Sequence, residues 1–306
     1  MIRFTANDAN STAEELCKQN IAGLSHENFT KMLKRKGVHV NGSIVKKDCQ
    51  LKDGDIVEVF VEDAFPELIQ EPQIVYEDEN LIIYNKPTGM PCEYAQSDDE
   101  MTLLSLAEKR MKDKQEYNPD ILVVPYLCTP HIKSVGGLTV IAKDENTFLT
   151  FTQAVRQRRI RRFYAALTAG VPPRHKGELH NYIVSNIKRG LIKVQDVPGN
   201  MAQPAVTRYS VLSSSKDIAL VDIEPVTNIP EQIQAQFEYI DCPILGSQKF
   251  ADRHMNNRYG IFNDALWLKK IEFCVGENNA LSYLNGASFS CTKIDLPYIS
   301  DEIAVK

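Results

Sequence analysis

The sequence predicts an α+β protein, with helices around a mixed sheet and a smaller α/β domain ahead of it. Three observations carry this prediction. At 306 residues the chain is long enough for about two domains. The stretch AFPELIQEPQ (64–73) sets two prolines between strand-like runs, as a linker does. Beyond it, strand-like and helix-like segments follow one another without strict βαβ alternation. The expected division is a domain at 1–63, a linker at 64–73, a larger domain at 74–285 and a tail at 286–306.

The front segment reads as two helices and a set of short strands. STAEELCKQNI begins a helix with Ser11 or Thr12 as cap and Glu14 and Glu15 in the first turn. Ser25 caps a second helix, in which Leu24, Phe29, Met32 and Leu33 form an apolar stripe that Gly37 ends. VHVNG is a strand running into an Asn41-Gly42 turn, answered by SIV. DGD (53–55) is a tight turn before the strand IVEVFV. Lys31, Lys34, Arg35, Lys36, Lys46 and Lys47 give this unit a basic face, which a solvated helix surface would also show.

In the larger domain two short strands flank the EDEN turn, and NKPTG (85–89) breaks the chain after the second. MTLLSLAEKRMK (101–112) is an amphipathic helix, and ILVVPYLC (121–128) is apolar and β-rich. LTVIAK is a buried strand, after which Asp144 caps the helix DENTFLTFTQAVRQRR. IRRFYAALTAG is a strand, VTRYSVLSSSKDIALVDIEPV a hairpin, PEQIQAQFEYI a helix and LWLKKIEFCV a last strand.

Composition excludes several classes. The seven cysteines, at 17, 49, 92, 128, 242, 274 and 291, form no CxxC pair and read as reduced thiols of a cytoplasmic protein. The start of the chain has no apolar h-region, and no apolar run approaches the ~18 residues of a membrane span. A net charge of −5 gives no global attraction to nucleic acid, so any such binding rests on local patches. RQRRIRR (156–162) is one, with Arg156, Arg158, Arg159, Arg161 and Arg162. His175 and His180 lack a third ligand for a metal, and no GxxxxGK or GxGxxG occurs.

Two resemblances follow from these segments. Through the LS start, the GVHVNG turn and the GDIVEV end, about 40 residues of the front segment resemble a small RNA-binding domain known from a ribosomal protein. His26 stands where that family usually carries an arginine. The larger domain resembles the RluA-type pseudouridine synthases, through IVYEDENLIIYNKPTGM, GLTVIAKDENTF, RRFYAALTAGV, CPILGSQKF and LWLKKIEF. The resemblance implies a pseudouridine-synthase fold, with a mixed, largely antiparallel β-sheet and flanking helices, behind a small N-terminal RNA-binding α/β domain. It also implies an enzyme that converts uridine in RNA to pseudouridine without metal or cofactor.

In that family an aspartate in an H-R-L-D loop does the chemistry, an arginine ending a T-G-R-x-H-Q-I-R segment pairs with it, and a K-x-Y tyrosine packs against the base. A carboxylate suits the glycosidic exchange because it can attack the sugar or act as base, and in an apolar cleft it needs a fixed cation to stay ionised. Aligned on GLTVIAK, the loop positions fall on Thr129, Pro130, His131 and Ile132, which puts an isoleucine at the aspartate position. No Asp or Glu lies between Asp120 and Asp144. The second segment falls on Thr227 to Gln234, which puts Gln234 at the arginine position and Ile229 at the earlier one. Arg162 and Tyr164 keep the K-x-Y pattern, and the last residue of PILGD is Ser247.

The expected function is therefore a pseudouridine synthase homologue that binds structured RNA, ribosomal or transfer, and lacks isomerase activity. It is expected to be a cytoplasmic monomer without metal, cofactor or membrane attachment. The alternative is an active synthase using another group, for which Glu231, beside Gln232, is the candidate, with His131 and Cys128 as weaker ones. Lys86 in NKP lies near the cleft by analogy.

Overall fold

The computed structural model describes residues 2–6, 11–20, 26–34, 36–59, 71–94, 101–129, 133–186, 190–261 and 263–296. The chain forms two compact units, Met1–Glu71 with Gln96–Met101, and Pro72–Ala95 with Thr102–Lys306.

The first unit is a four-stranded antiparallel sheet with two helices. Helix α1 (Ala13–Asn20) starts at a reciprocal cap: the Glu15 amide donates to Thr12 Oγ1 and the Thr12 amide to Glu15 Oε2. Helix α2 (His26–Lys34) buries Phe29, Met32 and Leu33 and ends where the Gly37 amide reaches back to the Met32 carbonyl. The proposed cap Ser25 and the stripe residue Leu24 lie outside the described residues. Strands β2 (Val38–Val40) and β3 (Ser43–Ile44) meet at Asn41-Gly42, both with positive φ, as a two-residue hairpin requires. Strand β4 (Ile56–Val59) lies between β2 and β1 (Ile2–Thr5). No reading of the sequence gave β1, because IRFT is too short for its alternation to stand out.

The second unit is built on an 11-stranded sheet. Its strands in chain order are β5 (Gln73–Glu77), β6 (Leu81–Lys86), β7 (Tyr126–Leu127), β8 (Gly136–Ala142), β9 (Ile160–Ala169), β10 (Lys176–Asn186), β11 (Leu191–Gln195), β12 (Gln203–Ser214), β13 (Ile218–Pro225), β14 (Leu266–Phe273) and β15 (Ser288–Ser290). The spatial order is β11-β10-β12-β13-β9-β14-β8-β6-β5, with β15 on β14 and β7 on β8. Among the described strands only β14–β8 is parallel, so the sheet is mixed and largely antiparallel as expected.

Helices α3 (Leu103–Asp113), α4 (Glu145–Arg156), α5 (Gln232–Tyr239) and α6 (Arg253–Tyr259) complete the unit. Asp144 caps α4, its carboxylate accepting from the Thr147 amide at 2.9 Å. Strand β9 alternates between two cores, as a pleated strand must. Tyr164 and Ala166 join Phe151, Ile233 and Phe237 on one face, whereas Ala165 and Leu167 join Trp267, Leu245, Ile261, Ile294 and Leu296 on the other. Residues past 285 thus supply strand β15 and buried side chains to this core.

Three local expectations change. Of ILVVPYLC only Tyr126–Leu127 is strand: Pro119–Ile121 is a 3-10 turn with Ile121 and Leu122 exposed. The β10–β11 hairpin and α6 were not read from the sequence. LWLKKIEFCV is not the last strand, since β15 follows it.

Candidate active-site cleft

The loop that would carry the chemistry is held at both ends. On one side Thr129 is buried, and its Oγ1 accepts the Val140 amide at 2.8 Å. On the other, the Lys133 carbonyl accepts the Gly89 amide at 2.8 Å and Lys86 Nζ at 3.3 Å. Lys86 is wholly buried, and its ammonium also donates to the Pro87 and Met90 carbonyls. A buried ammonium needs such acceptors, and here they tie the NKPTG turn to the loop. Pro130, His131 and Ile132 themselves lie outside the described residues.

Beyond the loop, β8 runs parallel to β14 at very close approach. Gly137 has φ +104°, and a Cβ there would meet the Leu268 backbone at 2.4 Å, so only glycine fits. A similar constraint shapes the turn after α5: Gly246 has φ +82°, and a Cβ would lie 1.8 Å from the Asn263 carbonyl oxygen. This contact sets Ser247 against the residues that lead into β14.

Helix α5 supplies the partner side. Gln232 is buried; its Nε2 donates to the Val206 carbonyl and to Thr207 Oγ1, and its Oε1 accepts from Thr227 Oγ1 and the Ile229 amide. It is spent on locking the helix to β12. Gln234 is also buried, and its Nε2 donates to Asp264 Oδ2 at 3.1 Å. Asp264 is 3% exposed, and the nearby Ser134 and Ser247 hydroxyls, with Gln234, favour its charged form. Burial pushes this carboxyl above the usual aspartate range, against these polar neighbours, and the nearby Glu231 charge adds to the rise.

Asp264 had no place in the sequence reading. It lies in FNDALWL, outside every quoted motif, and its one signal is an acidic residue directly before an apolar strand. Glu231, the alternative nucleophile, sits in the left-handed region at the start of α5 with its carboxylate on Lys249 Nζ at 2.6 Å. Burial raises the Cys128 thiol far above neutrality, which removes it as a nucleophile. Tyr164 is 6% exposed within the core shared by β9, β13 and α5.

The basic residues divide by use. Arg161 pairs with Glu224 at 2.8 Å and Glu272 at 3.0 Å and lies over the Phe163 ring. Arg159 donates to the Val275 carbonyl, and Arg162 Nη1 to Asn228 Oδ1 at 2.9 Å. Arg156 and Arg158 are exposed at the end of α4. In the first unit Lys31, Lys34, Lys36, Lys46 and Lys47 are exposed, and Arg35 lies outside the described residues. His26 faces the Glu14 carboxylate, 2.7 Å away. Among the described residues no group of three or more His, Cys, Asp or Glu side chains is placed to hold a metal, and no helix is long and apolar enough to cross a membrane.

The family model described as RNA pseudouridylate synthase matches residues 80–239, more than half of the chain. The chain therefore belongs to the RNA pseudouridine synthase family, in its RluA-type branch. It is 26% identical over 242 residues to the ribosomal large subunit pseudouridine synthase C of Rickettsia bellii, covering 72% of this chain and 76% of that protein. It is 28% identical over 199 residues to the human mitochondrial pseudouridylate synthase RPUSD4, covering 58% of this chain and about half (51%) of that one. Among solved structures, human RNA pseudouridylate synthase domain containing 4 superposes with a TM-score of 0.57 at 25% identity, over 74% of this chain and 88% of the other. Human RNA pseudouridylate synthase domain containing 1, at 16% identity and a TM-score of 0.52, shares the fold.

Proposed function

We propose that this protein binds structured RNA, ribosomal or transfer, and does not isomerise uridine. The observation that carries the reading is the contact between Gln234 and Asp264. In the family as the motifs describe it, an arginine keeps a carboxylate ionised for attack. Here the corresponding side chain is a neutral amide, and the carboxyl it meets is buried without a cation in contact among the described residues. A carboxyl that resists ionisation is a poor nucleophile towards a sugar carbon. Isoleucine at position 132 offers no group for proton transfer or attack.

The RNA-binding half of the reading rests on family membership and on the exposed cations at Lys31, Lys34, Lys36, Lys46, Lys47, Arg156 and Arg158. The relative named as a ribosomal large subunit enzyme favours ribosomal RNA. The reading includes a cytoplasmic monomer without metal or cofactor; the seven unpaired cysteines accord with a reducing compartment.

A second reading keeps isomerisation and moves it to another carboxylate, Glu231 or Asp264. The Glu231–Lys249 ion pair favours the former, whose side chain lies against a cation. The test is a pseudouridine assay on bulk ribosomal and transfer RNA with wild type, Ile132→Asp and Glu231→Gln, beside RNA affinity titrated against salt. Bound RNA with no pseudouridine from the wild type is the expected result. Turnover by the wild type overturns the first reading, and its loss in Glu231→Gln would assign the second to that residue.

A further inference from the structure

We propose that the start of helix α4 and the turn at Pro119–Ile121 form a docking surface for a basic, amphipathic helical segment of a partner protein. The proposal is independent of the RNA-binding reading and uses none of the residues that line the cleft.

Three large apolar side chains stand in water on this surface: Ile121 is 68% exposed, Leu122 49% and Leu149 56%. Single exposed leucines are ordinary, but a group of them on one surface marks an interaction site. Tyr126 joins the group. Its hydroxyl lies 3.5 Å from the Leu122 carbonyl oxygen, and its ring stacks on Phe148, the neighbour of Leu149, at 5.4 Å between centroids. The turn that presents Ile121 and Leu122 is firmly closed. Asn118 and Val123 exchange two backbone hydrogen bonds of 2.9 Å across its base, and Asn118 Oδ1 accepts the Asp120 amide at 3.1 Å. Leu122 is held at φ 59°, a left-handed conformation that strains a residue with a Cβ and would suit glycine. The fold thus holds a strained leucine whose side chain is half in water.

The charges around this surface select the occupant. Asp120 precedes Ile121 and is exposed, and Glu145 is exposed one turn before Leu149 on the same side of α4. Neither carboxylate has an ion-pair partner among the described residues. The cations closest to them along the chain are occupied: Lys143 is buried against Glu77 and Glu116, Lys114 lies on Glu77 and Lys112 on Glu108. An apolar centre rimmed by unpaired carboxylates complements a helix with an apolar stripe flanked by lysine or arginine. The same rim repels RNA phosphates, whose proposed contact Arg156 lies at the opposite end of α4, about 16 Å along the helix axis. It also opposes a second copy of this chain, because a two-fold contact brings the acid-rimmed surface against itself.

The test uses the full chain without RNA and two fluorescein-labelled synthetic peptides with leucine at the i, i+3, i+4, i+7 positions of a helix. One carries lysine at the remaining positions and the other glutamate. Affinity is read by anisotropy for wild type, Leu122→Gly, Leu149→Ser, Asp120→Asn with Glu145→Gln, and Leu191→Ser, whose leucine is 61% exposed elsewhere, on β11. Leu122→Gly and Leu149→Ser alter exposed side chains and are expected to keep the wild-type thermal midpoint. Each is expected to weaken binding of the lysine peptide about tenfold, and the double charge variant about fivefold, with Leu191→Ser unchanged. The glutamate peptide is expected to bind wild type roughly tenfold more weakly than the lysine peptide. No binding of the lysine peptide to wild type, equal affinity in wild type and both surface-leucine variants, or an equal loss in Leu191→Ser overturns the proposal. Two readouts identify the rival occupants. A wild-type dimer in sedimentation that Leu149→Ser dissolves would make a second copy the occupant, and a loss of transfer-RNA affinity in Leu149→Ser would make it RNA. Either result overturns the assignment to a basic protein segment.

Discussion

At the scale of single residues the proposed reading turns on Gln234, which the motif alignment sets at the arginine position. An arginine there would find the Asp264 carboxylate already in place, 3.1 Å from the present amide nitrogen. Gln234→Arg is therefore expected to fold and to bring the Asp264 carboxyl down towards the ordinary range, because an adjacent cation favours the charged form. The check is the pH dependence of the thermal midpoint, which should flatten above the ordinary aspartate value of 3.8. The same substitution bears on chemistry. Ile132→Asp alone places a new carboxyl in the loop without its cation, so pseudouridine formation is expected only when Ile132→Asp and Gln234→Arg are combined. Equal activity in the single variant would show that the cation is dispensable. The residue level also shows what the motifs hid. Gln232 keeps the identity the motif demands and is legible as part of α5, yet its hydrogen bonds to Val206 and Thr207 make it a structural tie.

Individual elements are fixed by a few close contacts. Strand β8 can lie parallel to β14 only because Gly137 lets the Leu268 backbone approach. Gly137→Ala is expected to cost about 2 kcal/mol or more, from the positive φ and the clash together, with a matching loss of thermal stability. At the far end of the same strand, Lys143 is buried against Glu77, which also receives Arg110 and Lys114. Burial alone would raise the Glu77 carboxyl, but these three cations outweigh it and hold it at about 2. A depressed folded value stabilises the protein above the ordinary 4.5, and the contribution is lost as pH falls towards about 2. Glu77→Gln is expected to lower stability at pH 7 by about 3 kcal/mol and to leave less acid sensitivity between pH 4.5 and 2. Denaturant titrations at the two pH values read both effects.

For the whole molecule the open issue is how an acidic chain engages RNA. The net charge is −5, and part of the arginine run is neutralised internally: Arg161 is held by Glu224 and Glu272 on neighbouring strands. On the proposed RNA-binding reading, phosphate contact falls to Arg156 and Arg158 and to the lysines of the first unit. Replacing Arg156 and Arg158 together by alanine is expected to lower the slope of log affinity against log salt by about 2, whereas Arg161→Ala leaves it unchanged. A slope that moves only with Arg161 would reverse this assignment.

The α+β class and most strands and helices of both units were legible from the sequence alone, and the motif reading proposes which residues stand at the family's reactive positions. Periodicity, caps and turn glycines are local signals, and Thr12, Asp144 and Asn41-Gly42 act where local chemistry places them. Strand β1, the β10–β11 hairpin, α6 and β15 were not legible, because they are short, polar or held mainly by pairing with distant strands. The tertiary structure alone decided which arginines are spent on acidic neighbours and which carboxyl Gln234 meets. Asp264 is 30 residues from Gln234 in sequence and joins it only because the fold brings α5 to the segment that leads into β14. Nothing in local sequence encodes such a contact, because a buried carboxyl takes its character from the donors that the fold brings to it.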